Sequence, residues 1–287
     1  MKRIILFILT NLLVIVTISI VTSVLGVNHY VTAQGLDYSA LLGFCLVWGM
    51  GGAFISLGIS RWSAKKMMGV SVIDRNSPDL AWVYTMVEQL SHKAGLPSVP
   101  EVGIWNSDEV NAFATGPSKR RSLVAFSTGL LRSMDRNEIE GVAAHEIAHI
   151  ANGDMVTMTL LQGVINAFVM FFARAIAWAV SQNAKEENRR MYAMLITIGL
   201  EIAFGVLGMV VVAAFSRYRE FRADRGGAYY AGKGDMIAAL QRLQANSKRY
   251  EHQPAFAALK ISSGARSWFS THPPLEARIK ALQEARM

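Results

Sequence analysis

The chain has 287 residues, of which 52% are hydrophobic and 17% charged, with a formal net charge of +8 and one cysteine. That composition is too apolar for an ordinary soluble domain, and a lone cysteine excludes an intramolecular disulfide. No helix or aromatic platform is patterned to read bases or phosphates, whereas Lys and Arg beside a membrane meet anionic lipid headgroups, so the expected partner is a bilayer and not a nucleic acid.

The first two elements are apolar runs over 4–24 and 41–59, each about the twenty residues that cross hydrocarbon. The first is too long for a secretory signal and no Ala-x-Ala-like site follows it, which predicts a retained anchor. Lys2 and Arg3 precede the pair and Arg61, Lys65 and Lys66 follow it, while 27–37 carries no Lys or Arg. By the positive-inside rule the N-terminus and everything after Ile59 face the cytoplasm. Cys45 falls within the second span.

A small α+β unit is expected next. Ser77 and Pro78 open a helix that runs through Leu90 and stops at Gly95, with Pro97 beyond. Val102 to Trp105 reads as a strand, and Val110 to Thr115 with Ser122 to Ser127 as two strands joined by the polar turn Gly116 to Arg120. Asp135, with Glu138 three positions on, has the form of a capping box, and Ile139, Val142, Ala143, Ile147 and Ile150 continue at helical spacing.

That helix carries His145-Glu146-Ile147-Ala148-His149. Residues four apart stack on one face, so both imidazoles can share one Zn²⁺ per chain while Glu146 is aimed at an attacking water, the pattern of a peptide-bond hydrolase. A pair of core histidines is the bland alternative. It would need neither the Glu between them nor the small Ala143, Ala144 and Ala148, which let other backbone approach.

Two further apolar runs, 155–180 and 191–214, contain Gln162, Asn166, Arg174 and Glu201. Charges at membrane depth normally face protein or a water-filled cavity. Arg174 and Glu201 lie at similar depths of an antiparallel hairpin, about one helical turn apart, and are expected to pair. Two more spans keep the histidine helix and the chain after Ala214 on one side. There Glu220 and Asp224 lie four apart on one face. Glu220 is then a candidate third ligand, with Asp224 accepting a hydrogen bond from the free nitrogen of a ligating His. A solvated charged helix is the alternative, given Arg217, Arg219, Arg222 and Arg225 around them. Asp235 to Ala245 and Pro274 to Ala285 read as amphipathic helices. His272, pinned by Pro273 and Pro274, either donates to an oxyanion or is an ordinary loop residue before the last helix. The chain thus divides into a two-helix anchor (1–60), the first part of a catalytic domain (61–154), a second membrane hairpin (155–215) and the rest of the catalytic domain (216–287).

Val110-Asn111-Ala112-Phe113-Ala114, Ala144 to His149, Phe215 to Asp224 and Ser270-Thr271-His272-Pro273-Pro274 together resemble the HtpX family of bacterial membrane zinc metalloproteases, over nearly the whole chain. HtpX is related to the CAAX prenyl protease and to the mitochondrial protease OMA. The resemblance implies a predominantly helical α+β fold, a membrane-integrated gluzincin with about four transmembrane helices. It implies His145, His149 and Glu220 as zinc ligands, Glu146 as base, Asp224 supporting a ligand and His272 in catalysis. Asn111, Ala112 and Phe113 would pair with an extended substrate. The implied function is cleavage of misfolded or damaged membrane proteins and unfolded polypeptides in the bacterial inner membrane, under stress, overlapping with an ATP-dependent membrane protease. The rivals are a prenyl-protein-type protease and a catalytically silent zinc scaffold; the intact Glu146 speaks against the second.

Overall fold

The structure, a computed structural model, describes residues 2–27, 29–33, 35–251 and 270–285. In chain order the elements are α1 (Lys2–Val24), β1 (Val31–Thr32), β2 (Gly35–Leu36), α2 (Tyr38–Ser63), β3 (Ser71–Ile73), α3 (Ala81–Lys93), β4 (Glu101–Trp105), β5 (Ala112–Ser118), β6 (Arg121–Ser127), α4 (Thr128–Ser133), α5 (Arg136–Asn152), α6 (Asp154–Ser181), α7 (Glu186–Ala231), α8 (Lys233–Glu251) and α9 (Leu275–Glu284). They form two compact units, Met1–Leu57 with Thr157–Val212 and Gly58–Val156 with Ala213–Met287.

Among the described residues, α2 with the π-helical turn Ala64–Met68 after it, α6 and α7 are long and apolar enough to cross a membrane. The expected first span forms α1, although part of it falls on side chains outside the described residues. Leu160, Val164, Phe168, Phe172 and Ile176, each four residues on, leave one apolar stripe of α6 exposed, a face suited to lipid. On α2, a Cβ at Gly49 would lie 2.6 Å from the Ala167 nitrogen and 2.8 Å from the Gly163 oxygen of α6. The two backbones touch there, a closeness that small residues permit. The link between α6 and α7 is shorter than the expected 181–190, because helix resumes at Glu186.

Arg174 and Glu201 do pair, with the guanidinium also over the Phe44 ring at 5.6 Å. Their side chains keep 22% and 32% of their exposure. Removing one partner strands the other in an apolar setting, so Arg174→Leu and Glu201→Leu are each expected to lower stability in detergent by about 1–3 kcal/mol, less than for a fully buried pair. The double variant should recover much of that loss. Thermal unfolding of the four proteins checks it, and strictly additive losses would contradict the coupling.

The second unit holds a four-stranded sheet in the order β3-β4-β6-β5, antiparallel except for β4 beside β6, with β5 at one edge. α5 packs against β5, α3 and α8. Its Ile139, Ala143, Ile147 and Ile150 share a core with Val83, Val87 and Leu90 of α3, Val102 of β4, and Val124 and Phe126 of β6. Each large side chain buried there contributes about 1.5–3 kcal/mol relative to exposure.

Several boundaries differ from expectation. α3 starts at Ala81, not Ser77, because Asp79 adopts φ 61, a left-handed conformation that keeps the chain out of a helix until Leu80. β5 runs to Ser118 through an irregularity between Thr115 and Ser118, so the turn shrinks to Lys119 and Arg120. β3 and α4 were not expected; three and six residues are too short to show a period.

Candidate metal centre

The capping box is present: the Asp135 carboxylate accepts from the Glu138 N–H and the Glu138 carboxylate from the Asp135 N–H, both at 2.9 Å. Rooted there, α5 buries every residue from Gly141 to Ile150 except Glu146, which remains half-buried. The second helix of the site, α7, runs unbroken from the apolar region through Glu220 and Asp224. A Cβ at Gly226 would lie 2.8 Å from the Ala148 Cβ, and one at Gly227 3.1 Å from the His145 nitrogen. Glycine on α7 and alanine on α5 let the two backbones close together, which brings Glu220 and Asp224 onto the histidines.

His145, His149 and Glu220, all buried, offer ligand atoms within 4.8 Å of one another. The two histidine Nε2 atoms are 3.1 Å apart, His149 Nε2 is 3.3 Å from Glu220 Oε1, and His145 Nε2 is 3.5 Å from Glu220 Oε2. Tetrahedral bonds of about 2.0–2.1 Å set neighbouring ligands roughly 3.3–3.4 Å apart, so the spacing of the two imidazoles and the carboxylate suits three residues around one divalent cation. The Glu220 oxygens are differentiated: Oε2 accepts from His272 Nδ1 at 2.8 Å, whereas Oε1 is buried without a hydrogen-bond partner. A buried acceptor without a hydrogen bond, 3.3 Å from an imidazole nitrogen, fits a ligand atom.

Asp224 Oδ1 lies 2.9 Å from His145 Nδ1. Burial works to lower the pKa of this ring, but its hydrogen bonds to Asp224 and Glu220 outweigh that and raise it to about 9. The two carboxylates thus favour positive charge at this ring.

Arg278 of α9 was not singled out from sequence, where an Arg on an amphipathic helix reads as solvated. It is buried and grips Asp224 with Nε at 2.8 Å and Nη2 at 2.5 Å, with Nη1 3.5 Å from Glu220. Asp154 was also missed; its Oδ2 is 2.7 Å from His149 Nδ1. Arg278→Met leaves the Asp224 carboxylate buried without its counter-ion and is expected to cost about 3–5 kcal/mol in thermal unfolding. A loss below about 1 kcal/mol would contradict the pairing.

His272 itself is exposed. Asn111 is exposed too, its N–H donating to Ser127 Oγ at 3.1 Å and its carbonyl accepting from the Ser127 N–H at 3.0 Å. Ala112 and Phe113 pair with Phe126 and Ala125 of β6, which leaves the outer edge of β5 free of any strand among the described residues. Phe113 packs on Trp105, and Ala112 packs on the core that contains Ala143 and Ala144.

A model of peptidase family M48 matches residues 78–286. A protein described as "Protease HtpX homolog" from Bacillus licheniformis is 54% identical over 293 residues, covering 98% of this chain and 99% of the relative. "Protease HtpX" of Cellvibrio japonicus is 50% identical over 291 residues, 99% of each. Among solved structures, Ste24p of S. mikatae aligns with a TM-score of 0.66 at 18% identity, covering 98% of this chain and 66% of the longer Ste24p chain, a likeness of fold.

Proposed function

The chain belongs to peptidase family M48 and is a membrane metalloprotease, and on that footing we propose that its metal is zinc, one per chain, held by His145, His149 and Glu220. The observation that carries this reading is the convergence of the two imidazole Nε2 atoms, 3.1 Å apart, on the Glu220 carboxylate, with His149 Nε2 3.3 Å from Oε1 and His145 Nε2 3.5 Å from Oε2. Two imidazoles and one carboxylate form a donor set suited to catalytic zinc. Zinc, when bound, supplies Lewis acidity that brings a water molecule to a pKa of roughly 7 and polarises a carbonyl.

The chain's own residues do the rest. Glu146, the one half-buried side chain on this stretch of α5, takes a proton from the attacking water and returns it to the leaving amine. Asp224, clamped by Arg278, keeps the His145 proton on Nδ1 and leaves Nε2 to ligate. His272, whose Nδ1 is 2.8 Å from Glu220 Oε2, stands beside the carboxylate where its ring meets the developing oxyanion. Asn111, Ala112 and Phe113, at the sheet edge that no strand pairs among the described residues, take the substrate as an added strand, Asn111 through its side-chain amide because its backbone is bonded to Ser127. Recognition through backbone hydrogen bonds asks for an extended chain and little for its sequence.

That preference suits unfolded or damaged membrane proteins, and the quality-control role under stress follows for this chain in the bacterial inner membrane, alongside an ATP-dependent membrane protease. The charge asymmetry about the first two apolar runs supports a site on the cytoplasmic side. The test uses vesicles that hold the protease with zinc and either a stable membrane-protein reporter or a destabilised variant of it. Faster cleavage of the destabilised reporter is expected, and equal rates would remove the quality-control reading.

A further inference from the structure

The two ligating rings are held by different carboxylates. Asp154 is 2% exposed and begins α6, directly after Gly153, the C-cap of α5 with φ 72. In an unbroken helix a residue five positions on points roughly 140° away from His149. The left-handed glycine reverses the path instead and swings the Asp154 carboxylate back to the ring, Oδ2 standing 2.7 Å from Nδ1. Its other oxygen accepts from Arg222 Nη2 of α7 at 2.9 Å, and the same nitrogen bonds the Asn152 carbonyl at the end of α5 at 3.3 Å.

We propose that Asp154 is a positioning residue for the metal: it accepts the Nδ1–H of His149, fixes that tautomer, and so aims Nε2 at His145 and Glu220, while Arg222 holds the carboxylate in place. The inference rests on the metal-centre reading. It makes each imidazole the inner member of its own arginine–carboxylate–histidine chain, Arg278–Asp224–His145 and Arg222–Asp154–His149. The chains differ in burial, since the Arg278 side chain is 7% exposed and that of Arg222 43%. Water screens the second arginine, so its removal is felt less than that of Asp154.

The experiment measures the zinc dissociation constant by competition with a chromophoric chelator on the full-length protein in detergent. Wild type, Asp154→Ala, Asp154→Asn and Arg222→Gln are compared, with thermal unfolding of each after metal removal. Asp154→Ala is expected to weaken zinc about 10- to 100-fold. Asp154→Asn should fall between it and wild type, because its amide oxygen still accepts from Nδ1–H but carries no charge. Arg222→Gln should cost about two- to fivefold. Wild-type affinity in both Asp154 variants would overturn the proposal. So would a lowered metal-free unfolding temperature with the zinc constant unchanged, the mark of a merely structural role. If Asp154→Ala does not fold, Asp154→Asn decides. A wild type that binds no zinc overturns the metal-centre reading as well, which separates that failure from this one.

Discussion

Glu146→Gln is expected to retain one zinc per chain and to lose proteolysis by about 100- to 10 000-fold, the range ascribed to a positioned general base. Glu146 contributes none of the three clustered ligand atoms, and it is half-buried where its neighbours are sealed from water, so an amide in its place disturbs neither the ligand triangle nor the α5 core. What it removes is the basic oxygen. Metal analysis and cleavage of an unfolded polypeptide, run on one preparation, check both halves. Robust cleavage by the variant would displace Glu146 as the base, and loss of zinc would show that it ligates.

Glu220→Ala is expected to act at the other step, by losing the metal. The change deletes the carboxylate, including Oε1, the buried acceptor without a hydrogen bond, and leaves two imidazoles alone. It also unseats His272 and Arg278, which hold or approach Oε2. The loss of zinc affinity should exceed the roughly 10- to 100-fold typical of losing a residue that only supports a ligand. Glu276→Ala is the control, because Glu276 is exposed on α9 and bonds Gln244. Equal zinc content in the two variants would place the third ligand elsewhere.

What could be read before folding was what depends on local spacing. The capping box, the four-residue separation of His145 and His149, and that of Glu220 and Asp224 are all properties of one helix, and each is visible in a few consecutive residues. The Arg174–Glu201 pair was accessible by counting depth along two helices, since the membrane restricts where a charge can find a partner. Arg278 was not, because nothing in its own helix distinguishes it from a solvated Arg, and its partner lies 54 residues away on α7. Asp154 was hidden for another reason. It looked like the polar start of an apolar run, and its turn back to His149 depends on the φ of Gly153.

The most direct measurement of zinc-dependent proteolysis is a stoichiometric titration. The full-length protein is stripped with chelator, reconstituted, and given zinc in steps while cleavage of an unfolded polypeptide is followed. Activity is expected to be absent at the start, to rise linearly, and to level off at one zinc per chain, with Glu220→Ala silent over the same range. Undiminished cleavage by the stripped protein, or a rise that levels off only at two zinc ions per chain, would contradict a single centre built from His145, His149 and Glu220.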